Sequence, residues 1–408
     1  MSPAAANRSP ERLRVMLLLP SLHGGGAERV AMHLMKHVDR SRFDVRMGLL
    51  RKSGPYVAEL DESLVDVAQI GRRFLDFDQG NANVYRPASL LPAIVLTPAN
   101  VVAMLRRFKP HVVLSFRKGM SLIALGAVSI YGRSRVRFIA REGNNTLAVI
   151  DDEVKSELAR SLVRQITAYC YRSADRLLTI CHEMARDLEG QLGLDPAHVR
   201  TIYNAVDIRE VAARAAEPAP EAPVDPYLIG VGRLDRQKGF DVLLRAFARL
   251  PERATHRLLL LGEGPELESL QRLAAELGIA ERVLLPGWSK NPWALMRRAA
   301  LFALPSRWEG FGNVVIEAMA SGTPVVVSDC SYGPKEIVRH GRDGLIVPTD
   351  DDAALASALR QILADPQLRE RFIAAGAERA RDFDVNQIVK SYERLFAEVA
   401  TEILLAES

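Results

Sequence analysis

Gly230-Val-Gly-Arg-Leu-Asp-Arg-Gln-Lys-Gly239 is the stretch on which the reading of this chain turns. The apolar run Tyr227–Gly232 has the length of a buried strand, and Phe240–Leu250 has helical spacing. A glycine loop between a strand and a helix is the repeating joint of a parallel α/β sheet. Glycine lets the backbone approach a ligand closely, and a helix N-terminus favours anions. Arg233 and Lys238 stand at either end of this loop. Arginine offers a planar fork to phosphate oxygens and lysine a point charge, so the two together can neutralise a diphosphate. The plain alternative is an ordinary turn with solvated cations.

Towards the C-terminus the same joint recurs. Short apolar runs at Arg257–Leu261, Val283–Pro286, Leu301–Leu304, Pro324–Ser328 and Gly344–Val347 read as strands, with helices at Glu266–Leu277, Val314–Ala320 and Ala353–Leu363. After Leu301–Leu304 comes Pro305-Ser-Arg-Trp-Glu-Gly-Phe-Gly-Asn-Val-Val-Ile-Glu-Ala-Met319, again strand, glycine loop and helix. Glu309 falls in the loop and Glu317 about a turn inside the helix. Carboxylates are good acceptors for the vicinal hydroxyls of a sugar or ribose. The amides of Phe311, Gly312 and Asn313 are free to bind phosphate or sugar oxygens. A carboxylate beside a diphosphate needs cations nearby, which Arg233 and Lys238 can supply. The alternative is a helix cap with solvated acids.

Towards the N-terminus, Arg14–Pro20 is a strand followed by the glycines of Gly24-Gly-Gly-Ala-Glu28 and a helix over Ala27–Val38. Gly25 and Gly26 are candidates to touch a donor, and Glu28 to lie on the acceptor side. Further strands are expected at Asp44–Leu50, Val112–Phe116, Val136–Arg141 and Arg176–Ile180, with helices at Pro98–Phe108 and Asp152–Ala168. Pro218, Pro220 and Pro223 mark an extended linker. The expected organisation is an N-terminal Rossmann-like domain (1–206), a linker (207–226), a C-terminal Rossmann-like domain (227–385) and a last helix (386–408). Each domain is a doubly wound parallel sheet. Ligands bind such sheets beyond the C-terminal strand ends. Two of them facing each other would place the active site in the cleft between.

The bulk numbers fit. The chain has 408 residues, 48% hydrophobic and 25% charged, which suits two globular domains and excludes disorder. Residues 1–205 carry 29 Lys and Arg against 20 Asp and Glu, an excess of nine, while the remainder is acidic by five, giving the net charge of +4. A basic half suggests an anionic partner, a membrane surface or a pyrophosphate-linked acceptor. Cys170, Cys181 and Cys330 form no metal or disulfide pattern, which fits a reducing compartment. No signal peptide or membrane span is read. A cytoplasmic protein is expected, with two readings of Arg106, Arg107, Lys109, Arg117 and Lys118 beside the apolar stretch Leu90–Leu105: contact with the cytoplasmic membrane face, or a core helix with a solvated basic end. No aromatic-basic interleaving points to nucleic acid.

The order of GRLDRQKGFDVLL, LGEGPELESL, PSRWEGFGNVVIEAMASGTPVV and GPKEIVRHGRDGLIVP closely resembles the retaining glycosyltransferases of family 4, with the GT-B fold. The resemblance covers nearly the whole C-terminal half and reaches the N-terminal half through the glycine loop. It implies a nucleotide-sugar substrate and a saccharide or lipid-linked acceptor. It implies that Arg233 and Lys238 hold the donor diphosphate, that Glu309 contacts sugar hydroxyls and that Glu317 binds the ribose. It also implies that the last helix crosses back to the N-terminal domain. GGGAE with Gly333-Pro-Lys-Glu-Ile337 looks like enzymes of cell-surface or lipid-linked oligosaccharides, which use UDP-hexoses or UDP-N-acetylhexosamines. Many relatives carry a histidine after the fourth N-terminal strand; here Arg141-Glu142-Gly143-Asn144-Asn145 stands there, making Glu142 and Asn144 acceptor-side candidates. No metal is expected: Asp76-Phe-Asp78 and Asp382-Phe-Asp384 match a DxD only superficially. A nucleotide-sugar epimerase on the same fold and a non-catalytic nucleotide-binding module are the competing readings.

Overall fold

The computed structural model of the chain describes residues 12–23, 25–68, 87–144, 150 and 154–404. Gly24, Asn145 and Asp76-Phe-Asp78 lie outside the described residues. The chain divides into two units, Met1–Ile202 with Ile388–Ser408, and Tyr203–Gln387.

The first unit is built on β1 (Leu13–Leu19), β2 (Phe43–Leu49), β3 (Val65–Val67), β4 (Val112–Phe116), β5 (Arg137–Arg141), β6 (Arg176–Thr179) and β7 (Val199–Thr201). Its helices are α1 (Gly26–His37), α2 (Pro87–Phe108), α3 (Lys118–Tyr131), α4 (Glu157–Ser173) and α5 (His182–Leu192). The strands lie in the order β3-β2-β1-β4-β5-β6-β7 and pair in parallel. Val15–Leu19 and all of β4 are buried, because a sheet covered on both faces needs unbroken apolar strands. The three-residue strands β3 and β7 were not expected.

The second unit holds β8 (Tyr227–Val231), β9 (Arg257–Leu261), β10 (Val283–Gly287), β11 (Leu301–Leu304), β12 (Val325–Ser328) and β13 (Leu345–Val347). They form a parallel sheet in the order β10-β9-β8-β11-β12-β13. Its helices are α6 (Ile208–Ala215), α7 (Phe240–Ala248), α8 (Leu267–Glu276), α9 (Pro292–Arg298), α10 (Asn313–Ala320), α11 (Pro334–Ile337), α12 (Asp352–Ala364) and α13 (Pro366–Ala380). Each sheet reverses its winding once, between β1 and β4 and between β8 and β11. Such a switch point opens a crevice at the C-terminal strand ends.

Three local expectations need correction. The linker 207–226 contains α6: the Asp207 carboxylate accepts from the Glu210 amide at 3.0 Å, and Val211 and Ala215 are buried. Chain without helix or strand begins only past Ala215, where the prolines stand. Helix α2 runs from Pro87 through Pro92 and Pro98, eleven residues earlier than the expected start. Helix α4 starts at Glu157 instead of Asp152, where the Ser156 hydroxyl caps it.

The C-terminal helix α14 (Val385–Leu404) belongs to the first unit from Ile388 onward. Phe396 packs edge-on against Phe43, and the Glu393 carboxylate accepts from the Asp39 amide at 2.8 Å. Arg141, only 1% exposed, donates to the Tyr392 hydroxyl at 3.0 Å. Within the second unit, the segment leaving Tyr203 and the segment returning at Asp384 lie side by side, joined by Val206 N–H to Phe383 and Val385 N–H to Val206, both at 3.0 Å.

Candidate active site

The loop after β8 is organised by one aspartate. Asp235 Oδ2 accepts from Arg233 Nε at 2.7 Å, and Asp235 Oδ1 accepts from the Lys238 amide at 3.3 Å. Arg233 and Lys238 are thus set by the same carboxylate, with the Arg233 side chain 60% exposed. Gly239 then turns the chain into α7 at φ +63°, where a Cβ would lie 2.1 Å from the Pro305 carbonyl oxygen. Only glycine fits that approach, and it brings the β8 loop against the β11 loop.

Across this contact Lys238 Nζ donates to Glu309 Oε1 at 2.6 Å, both side chains largely buried. Ser306 Oγ donates to the same oxygen at 2.7 Å. An ammonium has three donors, so one bond to Glu309 leaves two for phosphate oxygens. The neighbouring Cys330 thiol is pushed up to about 12, first by burial and then by the Glu309 charge. It is therefore no nucleophile at neutral pH.

The two loops are laced together beyond the ion pair. Gln237 donates to the Trp308 carbonyl at 2.9 Å, and the Arg307 amide donates to the Gln237 carbonyl at 2.7 Å. Arg307 grips both oxygens of Asp241 at 2.9 Å each. Burial opposes the Asp241 charge, yet Arg307 outweighs it and holds the carboxyl below its ordinary value. Glu309 and Lys238 thus sit on a cross-braced platform, the kind of support a charged site needs to keep its geometry.

The loop into α10 is set by Gly312 at φ +93° and by Gly333, whose Cβ would fall 2.0 Å from the Phe311 carbonyl oxygen. The Phe311 side chain is buried, stacked on Tyr203 at 5.3 Å and edge-on to Phe383 at 5.7 Å. Asn313 Oδ1 accepts from Asn204 at 2.9 Å. These two side chains hold the loop, and the candidate ligand groups are the amides of the first helical turn. Glu317 is anchored differently from Glu309: it is buried, and its Oε2 accepts from Trp293 Nε1 at 2.9 Å. Replacing Trp293 by phenylalanine removes that charge-assisted bond. Under the ribose role that the resemblance implies for Glu317, the nucleotide-sugar KM is expected to rise about tenfold while kcat changes less than about threefold, measured by initial rates.

Gly232, Gly262 and Gly287 meet at the ends of β8, β9 and β10: the Gly262 amide donates to Gly287 at 2.9 Å, and a Gly262 Cβ would strike the Gly232 carbonyl oxygen. Next to this rim, Leu261 before Gly262 and Trp288 after Gly287 line a cavity of about 300 Å³ shared with Leu259, Pro286 and Leu295. Asp235, Trp293 and Trp288 were all missed in the sequence.

In the first unit, Gly25 caps α1, Gly26 opens it, and Glu28 is fully buried in its first turn. Glu28 Oε1 accepts from Arg117 at 2.6 Å, and a Cβ on Gly25 would lie 2.5 Å from Glu28 Oε2. Glu142 is buried; its Oε1 accepts from the amides of Gly143 and Asn144 at 2.8 and 3.0 Å, and its Oε2 from the Tyr171 hydroxyl. The contacts of Glu142 are those of a carboxylate closing a turn. Asn144 is exposed beside it. Asp382 pairs with Arg379, and Asp384 accepts from the Asn386 amide, so both acids of the second DxD have protein partners. Among the described residues no cluster of three acidic, histidine or cysteine side chains could hold a metal ion. No helix among them is long and apolar enough to cross a membrane.

Two family models match successive parts of the chain: Glycosyltransferase Family 4 over residues 24–210, and Glycosyl transferases group 1 over residues 214–379. The chain belongs to the family 4 glycosyltransferases. This glycosyltransferase is 27% identical, over 92% of its length and 96% of the relative's, to the N-acetylgalactosamine-N,N'-diacetylbacillosaminyl-diphospho-undecaprenol 4-alpha-N-acetylgalactosaminyltransferase of Campylobacter jejuni. It is 37% identical to the lipopolysaccharide core biosynthesis glycosyltransferase LpsD of Rhizobium meliloti, over 49% of this chain and 60% of that one. Its fold is that of Anabaena HepE, solved in complex with UDP and glucose, with a TM-score of 0.75 at 21% identity over 95% of this chain and all of the other. The GT-B fold is thus shared.

Proposed function

We propose that this enzyme transfers a hexose or N-acetylhexosamine from a UDP-sugar to a saccharide or lipid-linked acceptor, with retention at the anomeric carbon. The observation that carries the reading is the Lys238–Glu309 couple, braced at the point where the β8 and β11 loops meet. Lys238 and Arg233 take the diphosphate, Glu309 the donor sugar, and Glu317 the ribose. The amides of Phe311, Gly312 and Asn313, with those of Gly25 and Gly26, complete the donor contacts. UDP is favoured by the UDP-bound relative, and a lipid-linked acceptor by the diphospho-undecaprenol substrate in the Campylobacter relative's name.

The chemistry follows from charge. The bond between the anomeric carbon and the β-phosphate oxygen breaks, and its electron pair leaves with the diphosphate. Positioned cations and amides stabilise that developing charge. The acceptor hydroxyl oxygen attacks the same face, and its proton passes to the departing phosphate oxygen. No protein nucleophile is needed, and acceptor contacts fall to the first unit, with Glu28, Glu142 and Asn144 as candidates. The reaction takes place at the cytoplasmic face of a membrane.

The test is incubation with UDP-glucose, UDP-galactose and their N-acetylated counterparts, with and without saccharide acceptors, reading UDP release and the anomeric proton coupling of the product. Acceptor-dependent transfer with retained configuration supports the reading. Interconversion of donors without acceptor would make the protein an epimerase. Because cationic side chains fill the metal's part, EDTA is expected to leave the rate unchanged. Loss of activity with EDTA and its return with manganese would overturn that.

A further inference from the structure

The apolar stretch Leu90–Leu105, expected to meet a membrane, belongs to α2. Its described large apolar side chains are core, with Val101, Val102, Met104 and Leu105 all buried; what it exposes there is Ala99, Asn100 and Ala103, and Arg107 is paired with Asp66 at 2.6 Å. Another surface has the missing character. Along α4, Leu158 is 82% exposed, Leu162 56%, Ile166 42% and Tyr169 66%. Steps of four, four and three residues place them in one stripe on the outer face of the helix. The stripe is about 16 Å long at ~1.5 Å per residue. Thr167, Ala168, Cys170 and Tyr171, by contrast, are buried.

We propose that this outer face of α4 is the surface by which the protein settles on an anionic lipid bilayer, its apolar side chains entering the headgroup boundary. The inference rests on the reading of a lipid-linked acceptor, and it names where the lipid is met. An exposed row of large apolar residues in water marks an interaction site. What chooses the occupant is charge. Lys155 and Arg172 are exposed at the two ends, Arg160 and Arg164 lie half-buried along the flank, and Glu157 is the one acid from Lys155 to Arg172. A basic border around an apolar stripe complements anionic headgroups. A second copy is the poorer occupant, because a two-fold pairing of stripes would set these cations against their own kind. Tyr169 has the apolar ring and polar tip of residues that rest at the headgroup level.

The experiment uses the full chain and sucrose-loaded vesicles of phosphatidylcholine with or without phosphatidylglycerol. The wild type is expected to sediment with phosphatidylglycerol vesicles at low salt and to be released as salt rises. The double variant Leu158→Ser/Leu162→Ser is expected to bind those vesicles at least about tenfold more weakly. Both leucines are more than half exposed, so the melting temperature and UDP-sugar hydrolysis of the variant should stay close to the wild type. Equal vesicle binding by wild type and variant overturns the proposal. So does a wild type that hydrolyses UDP-sugar yet binds no vesicle, an outcome that leaves the enzymatic reading standing. A wild-type dimer that the variant splits, without vesicle binding, would assign the stripe to a second copy and overturn it as well.

Discussion

Lys238→Ala is expected to lower sugar transfer by two to three orders of magnitude in kcat, about 3–4 kcal/mol of transition-state stabilisation. The lysine is 16% exposed and is fixed at both ends: its amide by Asp235, its ammonium by Glu309. Its methylenes run along Gly232, where a Cβ would sit 3.2 Å from Lys238 Cε. A cation so placed needs no reorganisation when the diphosphate charge develops, which is why its loss should fall mainly on kcat. Truncation also strands Glu309, a buried carboxylate whose removal of partner is costly in itself. The double variant Lys238→Met/Glu309→Gln separates the two effects. It should recover the stability lost in Lys238→Ala while staying inactive. Steady-state kinetics and thermal melts read both, and a Lys238→Ala enzyme with normal kcat would remove the observation on which the proposed function rests.

Gly262→Ala is expected to cost about 3 kcal/mol of stability, lowering the melting temperature of its unit by roughly 6–12 °C. The position is at φ +143°, and an added Cβ would lie 1.8 Å from the Gly232 carbonyl oxygen. No rotamer can relieve a clash between Cβ and backbone, so the ends of β8 and β9 must part. The same shift would break the Gly232–Leu261 and Gly262–Gly287 hydrogen bonds, each 2.9 Å, and widen the rim from which Arg233 and Lys238 are hung. Gly278→Ala is the control. It also has positive φ, at +67°, but nothing lies within 4 Å of the added atom. There only the backbone preference is lost, about 1 kcal/mol. Equal melting temperatures for the two variants would show that the close approach at Gly262 does not matter.

The contrast between these glycines bears on what the sequence made legible. Strands β8 to β13 could be read because each is an apolar run ending in a loop of glycine or polar residues. Lys238 and Glu309 could be singled out because each is a charge in a glycine loop after a strand, and the structure pairs them at 2.6 Å. The remaining parts depend on contacts between distant segments. Trp293 reaches Glu317 from another helix, and Tyr203 stacks on Phe311 from more than a hundred residues away. Nothing local announces either. Asp235 was legible in principle, as an aspartate three residues before the amide it caps, and so was α6, where Asp207 and Glu210 have capping-box spacing. The prolines from 218 onward drew the reading away from α6. Glu142 is a further case: that its oxygens close a turn and accept from Tyr171 could not be read locally, because the tyrosine comes from a separate helix.

The place of α14 has a consequence for how the protein is made. The second unit is one continuous stretch, Tyr203–Gln387, whereas the first is completed by residues translated after all of it. Until Tyr392 and Phe396 leave the ribosome, the guanidinium of Arg141 lacks its hydroxyl acceptor and Phe43 lacks its aromatic cover. The half that begins synthesis first is therefore the half that finishes folding last, and its unfinished face is open to chaperones for the time needed to translate the other half.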